Sequence, residues 1–162
     1  MSEGLGDGRI QQFLATRDVV VLATIQADGS PLAMPVWFLH GPDTLTMISE
    51  TDTQKVRNLR REPRVCVVAE AGTSSDLRGV IVQGHAEFLD ESPERQALVH
   101  AFLQKYHPAL ERRWRGRLLP PDRVMFRIVP TRVTSWGLPA WAGPRLSCPS
   151  TRMLPPGERS MR

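Results

Sequence analysis

The stretch VVVLATIQADGSPLAMPVWFL, residues 19–39, decides the fold. Its first residues are β-branched and apolar, Asp28-Gly29 is a pair suited to a tight hairpin turn, and PLAMPVWFL reads as the return strand. Proline has no N–H to give to a ladder, so with Pro31 at its start and Pro35 inside it, the return strand is predicted at a sheet edge or with a bulge near Pro35. Trp37 and Phe38 are adjacent and must face opposite sides of the strand, one toward the interior and the other toward a ligand cleft or a dimer surface.

Working outward, HGPD (40–43) makes a turn and TLTMIS (44–49) alternates as a third strand, which predicts a three-stranded meander. Thr51-Asp52-Thr53-Gln54 fits a capping box, and the helix it opens runs to about Glu62, where Pro63 stops it. RVCVVAE (64–70) and RGVIVQGHAEFL (78–89) follow as strands, the second with Gly84 at a bulge. SPERQALVHAFLQKY (92–106) has Ser92 as cap and Pro93 at the first helical position. A last strand covers 122–136, and upstream, 7–17 spaces Ile10, Phe13 and Leu14 as a short amphipathic helix. Six strands and three short helices, joined by turns too short for parallel crossovers, predict a mainly antiparallel α+β barrel.

The 162 residues fit one domain, assigned to 1–138, followed by a Pro/Arg-rich tail, 139–162, with no helical or strand periodicity and expected to be mobile. Charge follows this division: 17 Lys/Arg face 16 Asp/Glu in 1–138, whereas the tail sets four arginines against Glu158. The basic balance therefore gives no footprint for nucleic acid, and an aromatic content of 6% offers few stacking platforms for bases. No apolar run approaches the ~20 residues of a membrane span, and the N-terminus does not resemble a secretory signal. The expectation is a cytoplasmic protein with no membrane partner.

No nucleophile elbow, phosphate loop or dinucleotide fingerprint is present, and the four histidines and two cysteines lie scattered, which predicts no metal site and no catalytic side chain. If the chain is an enzyme, a bound cofactor performs the hard step. The helix after the third strand offers a place for one. Its start favours anions through free N–H groups, and Lys55 in its first turn adds a full charge. On a helical wheel Val56 and Leu59 face inward, Lys55 and Asn58 flank them at the rim, and Arg57 points outward. Those residues describe a phosphate site and equally an ordinary solvated helix.

Four blocks in order, ATIQADGSPLAMPVWFL, TMISETDTQKVRNLRREPRV, VIVQGHAEFL and FRIVPTRVTSW, resemble the pyridoxamine 5'-phosphate oxidase-like split β-barrel flavoproteins, nearest the branch of F420-dependent oxidoreductases. The resemblance spans roughly residues 8–136. It implies a six-stranded split β-barrel, a homodimer, and F420, or alternatively FMN, in a groove between subunits. It implies hydride transfer to a small conjugated organic substrate. By position, Lys55 and Asn58 would hold the cofactor phosphate with Ser49, Glu50 and Thr51 completing the cradle, and Arg57 beside them. Backbone groups of Met34, Pro35, Val36 and Trp37 would meet the ring, with Gln83 as a second-subunit or ring contact. Arg60, Arg61 and Arg64 would line an exit for the anionic tail of F420. A vitamin B6 phosphate oxidase also carries R-x-H near the last strand, where this chain has Arg132-Val133-Thr134. The alternatives are an FMN-dependent enzyme of that type and a non-enzymatic flavin or haem binder, the latter needing a histidine ligand.

Overall fold

A computed structural model describes residues 4–107, 109–114 and 119–140. The tail from Trp141 onward lies outside the described residues, so its expected mobility is not addressed.

The hairpin forms as read. β1 (Val19–Ile25) pairs antiparallel with β2 (Pro31–Trp37), Ile25 opposite Pro31, around a turn in which Gly29 takes φ 84°. The rest of the expected meander does not form. After Phe38 the chain leaves β1, and Leu39–His40, a two-residue strand β3, pairs instead with β4 (Leu45–Glu50). β4 lies beside the last strand, β7 (Arg123–Trp136), and not beside β2. β5 (Arg64–Ala71) and β6 (Arg78–Phe88) complete one antiparallel sheet of order β2-β1-β5-β6-β7-β4-β3. Among the described residues there are thus seven strands rather than six, because one apparent strand is split between two partners.

That split curls the sheet. β2 and β3 are its two opposite edges, yet only Phe38 separates them in the chain, so the edges must meet there. Phe38 is fully buried inside the barrel with Leu22, Met47, Phe126 and Ile128. Burial of side chains this size stabilises by ~1.5–3 kcal/mol each. Pro35 keeps its register with Val21, so the edge position, and no bulge, accommodates it. The bulge falls at Gln83/Gly84. A Cβ on Gly84 would lie 2.1 Å from the Val129 carbonyl oxygen, so only glycine lets β7 come this near.

Helices α1 (Gly8–Ala15), α2 (Gln54–Arg61) and α3 (Pro93–Tyr106) match the three expected, and a fourth, α4 (Ala109–Trp114), follows α3. α3 and α4 build a second apolar cluster, in which Phe102, Tyr106, Leu110 and Trp114 pack on Met125, with Trp37, Leu39 and Ile48 against it. Tyr106 rivets this layer to the barrel seam. Its hydroxyl accepts from the Phe38 N–H at 2.9 Å and lies 2.7 Å from the Asp18 carbonyl, while its ring stacks on Trp37 at 4.7 Å. Burial pushes its pKa up to about 12. Lys105 adds hydrogen bonds to the Arg17 and Phe38 carbonyls at 3.0 and 2.9 Å and lies over the Phe38 ring. Among the described residues no helix is long and apolar enough to cross a membrane.

Candidate functional site

Between the barrel seam and the second cluster lies a cavity of about 490 Å³. Pro35, Val36 and Trp37 form one wall, because the chain crosses from one sheet edge to the other just beyond them. The end of β4 supplies Ile48, Ser49 and Glu50, α2 supplies Thr53 and Lys55, and α4 closes the far side with Leu110, Arg113 and Trp114. Val19, Phe102 and Arg123 complete the lining.

The start of α2 differs from the sequence expectation. The capping box expected at Thr51 is not formed: the helix begins after Thr53, and no described side chain accepts a hydrogen bond from its first turn. The Thr53 hydroxyl turns back to the Glu50 carbonyl at 3.1 Å and meets Ser49 Oγ at 3.2 Å. Thr51 is exposed, held through its own N–H on the Asp122 carbonyl. The first turn of α2 therefore keeps N–H groups with no capping side chain and a partial positive charge, and Lys55, which lines the cavity, belongs to that turn. Lys55 is half-buried and has no hydrogen bond or ion pair with a described residue. Burial pushes its ammonium pKa down, and the nearby Glu50 carboxylate opposes that only in part. Glu50 itself is engaged, 3.1 Å from Arg123 Nη2, and Arg123 also reaches Asp122 at 2.6 Å.

Of the residues singled out from the sequence, Pro35, Val36, Trp37, Ser49, Glu50 and Lys55 come together around this cavity. Met34, Thr51, Arg57, Asn58 and Gln83 are not among its lining. Asn58, placed at the rim by the helical wheel, is fully buried; its amide donates to Thr24 Oγ1 at 2.9 Å and its carbonyl accepts from Gln54 at 2.8 Å, so it ties α2 to β1. Arg57 is paired with Asp52 at 2.6 Å. Gln83 is exposed at the bulge, where its backbone carbonyl accepts from Thr131. Met34 is partly buried against the barrel core. The three arginines expected to form an exit groove are also occupied: Arg60 lies over Phe88, Arg61 bonds the Ile25 carbonyl, and Arg64 pairs with Glu62 at 3.0 Å.

The sequence reading missed the α4 contribution. Leu110 and Trp114, four residues apart after Pro108, were the available signal for a short helix with one apolar face. No group of three or more metal-binding side chains occurs among the described residues. His40 is bonded to Gln11 at 2.8 Å and His85 approaches Glu87 at 3.3 Å, and no described histidine or cysteine lines the cavity.

A curled antiparallel sheet whose edges meet in one chain segment, with a cavity at the seam, defines a split β-barrel. The chain belongs to the pyridoxamine 5'-phosphate oxidase family, whose model matches residues 7–137. Solved structures share the fold. A conserved hypothetical protein from Mycobacterium tuberculosis is 29% identical, with 88% of this chain and 94% of that chain covered and a TM-score of 0.68. A protein from Listeria innocua designated a candidate pyridoxamine 5'-phosphate oxidase is 25% identical, with coverages of 82% and 98% and a TM-score of 0.66. The haem storage protein HutZ of Vibrio cholerae is 17% identical over 84% and 97%, with a TM-score of 0.70, and shares the fold alone. No protein of curated function matches.

Proposed function

We propose that this protein is an oxidoreductase that binds a phosphate-bearing flavin or deazaflavin, FMN or F420, and passes hydride between it and a small conjugated organic substrate. One observation carries the reading: Lys55, half-buried and with no hydrogen bond or ion pair to a described residue, lines the same cavity as the start of a helix that has no side-chain cap. Leaving an ammonium partly desolvated and unpaired is unfavourable for the apo chain, and a phosphate would supply the missing counter-charge. Lys55 and the first turn of α2 would hold the phosphate, with Ser49 and Thr53 hydroxyls at hand. The Pro35–Trp37 wall would receive the ring, which supplies the hydride chemistry when bound. The protein's part is to orient the reactants and exclude water.

FMN and F420 both present a phosphate to such a site. The engagement of Arg60, Arg61 and Arg64 elsewhere removes the feature that favoured an anionic tail, which leaves FMN the better first trial. Haem finds no histidine or cysteine among the described lining residues to serve as an axial ligand. We also propose a homodimer through the outer face of β1, where Val19 and Val21 stand 42% and 38% exposed. Val19 lines the cavity as well, so a partner seated there would border the site.

The test is titration of the purified protein with FMN and with F420, followed by fluorescence, for wild type and Lys55→Ala. Micromolar binding of one cofactor, weakened at least tenfold by the substitution, is expected. Binding of neither, or equal binding by the variant, overturns the reading.

A further inference from the structure

We propose that Arg113 is a second anion-binding group of the cavity, placed to hold the carboxylate of an aromatic or conjugated substrate whose apolar body rests among Trp37, Ile48 and Leu110. The proposal rests on the cofactor reading only in that the cofactor phosphate occupies the Lys55 end and leaves the α4 end to the substrate.

Three cations line the cavity, and they differ in what they already touch. Arg123 is neutralised by Glu50 and Asp122. Lys55 belongs to the start of α2. Arg113 comes from α4, is exposed, and has no carboxylate within 4 Å among the described residues; it lies over the Trp37 ring, 5.7 Å from guanidinium carbon to ring centre. Elsewhere in the chain Arg57, Arg64, Arg95 and Arg127 each pair with an acid. A guanidinium resting on an aromatic face keeps its N–H edge available while the ring holds its plane. That edge matches two coplanar oxygens of one carboxylate, and as Arg113 is the one cation that α4 contributes among the described lining residues, it suits one negative charge better than a phosphate dianion. The surrounding side chains are apolar: Trp37, Ile48, Phe102, Leu110 and Trp114. An apolar wall ending in one oriented cation selects a flat organic acid over its neutral analogue.

Equilibrium dialysis of 2-naphthoate and 2-naphthamide, with and without saturating FMN, tests this on the full chain as wild type, Arg113→Gln, Arg113→Lys and Lys55→Ala. Wild type should bind the acid at least tenfold more tightly than the amide. Arg113→Gln should abolish that preference, Arg113→Lys should keep part of it, and Lys55→Ala should leave it intact. Equal binding of acid and amide by wild type overturns the proposal, as does a preference that survives Arg113→Gln. A preference lost in Lys55→Ala instead also overturns it, because the acid then sits at the start of α2. FMN binding in the same samples reports separately on the cofactor reading: failure of FMN with the acid preference intact removes that reading and leaves Arg113 its role, and the reverse result removes only Arg113's role.

Discussion

The chain has two lysines, and they do opposite things with the same charge. Both are half-buried, and burial pushes both ammonium groups below the ordinary lysine pKa. Lys105 spends its protons on the Arg17 and Phe38 carbonyls and lies over the Phe38 ring, at the point where the two sheet edges meet. Lys55 spends its protons on no described residue and stands in a cavity beside an uncapped helix. A buried charge with partners belongs to the architecture, whereas a buried charge without one is a cost that binding can relieve. The same contrast holds within the first half of α2, since Asn58, one turn beyond Lys55, is satisfied by Thr24 and Gln54.

Substitutions at the seam should cost stability. Tyr106→Ala removes a buried ring stacked on Trp37 together with the bond to the Phe38 N–H, and urea denaturation should record a loss of about 3–5 kcal/mol. Tyr106→Phe keeps the ring but leaves the buried Phe38 N–H without its acceptor, for a loss of about 1–3 kcal/mol. Lys105→Met is milder, about 1 kcal/mol, because that side chain is only partly buried. At the cavity, Lys55→Ala should move stability by less than about 0.5 kcal/mol in either direction, since no hydrogen bond or ion pair with a described residue is lost.

The pH dependence of stability distinguishes the seam further. Tyr106 titrates near 12 when folded and near 10 when unfolded, so between those values the folded state holds the extra proton. Stability from this group is complete below pH 10 and is lost as pH rises toward 12. The lysines act with opposite sign below the ordinary lysine value, because there the unfolded chain holds the extra proton. Comparing wild type with Tyr106→Phe isolates the tyrosine: the decline above pH 10 should be shallower in the variant, and an identical decline would show that Tyr106 is not the cause.

Much of this was legible in the residues. Alternation, the Asp28-Gly29 turn and Gly84 marked the sheet, and the family blocks placed Lys55 and the Pro35–Trp37 wall. The split at Phe38 was not legible, because residues 31–39 read as one return strand and only register decides which neighbour each part pairs with. The start of α2 was misread for a related reason: Thr51 and Thr53 are both capping residues by type, and the ladder continues through Glu50 before the chain turns. Asn58 misled because a helical wheel assigns faces by polarity, and a polar side chain with two internal partners can be buried. α4 escaped because six residues after a proline carry too short a period to stand out.

The central claim is that Lys55 and the bare first turn of α2 form the anion anchor of one cofactor cavity. FMN titration of wild type, Lys55→Ala and Lys105→Met, each at matched folded fraction, tests it most directly. The account predicts that Lys55→Ala weakens binding at least tenfold while Lys105→Met, although less stable, binds as wild type does. Equal affinity in wild type and Lys55→Ala would contradict it.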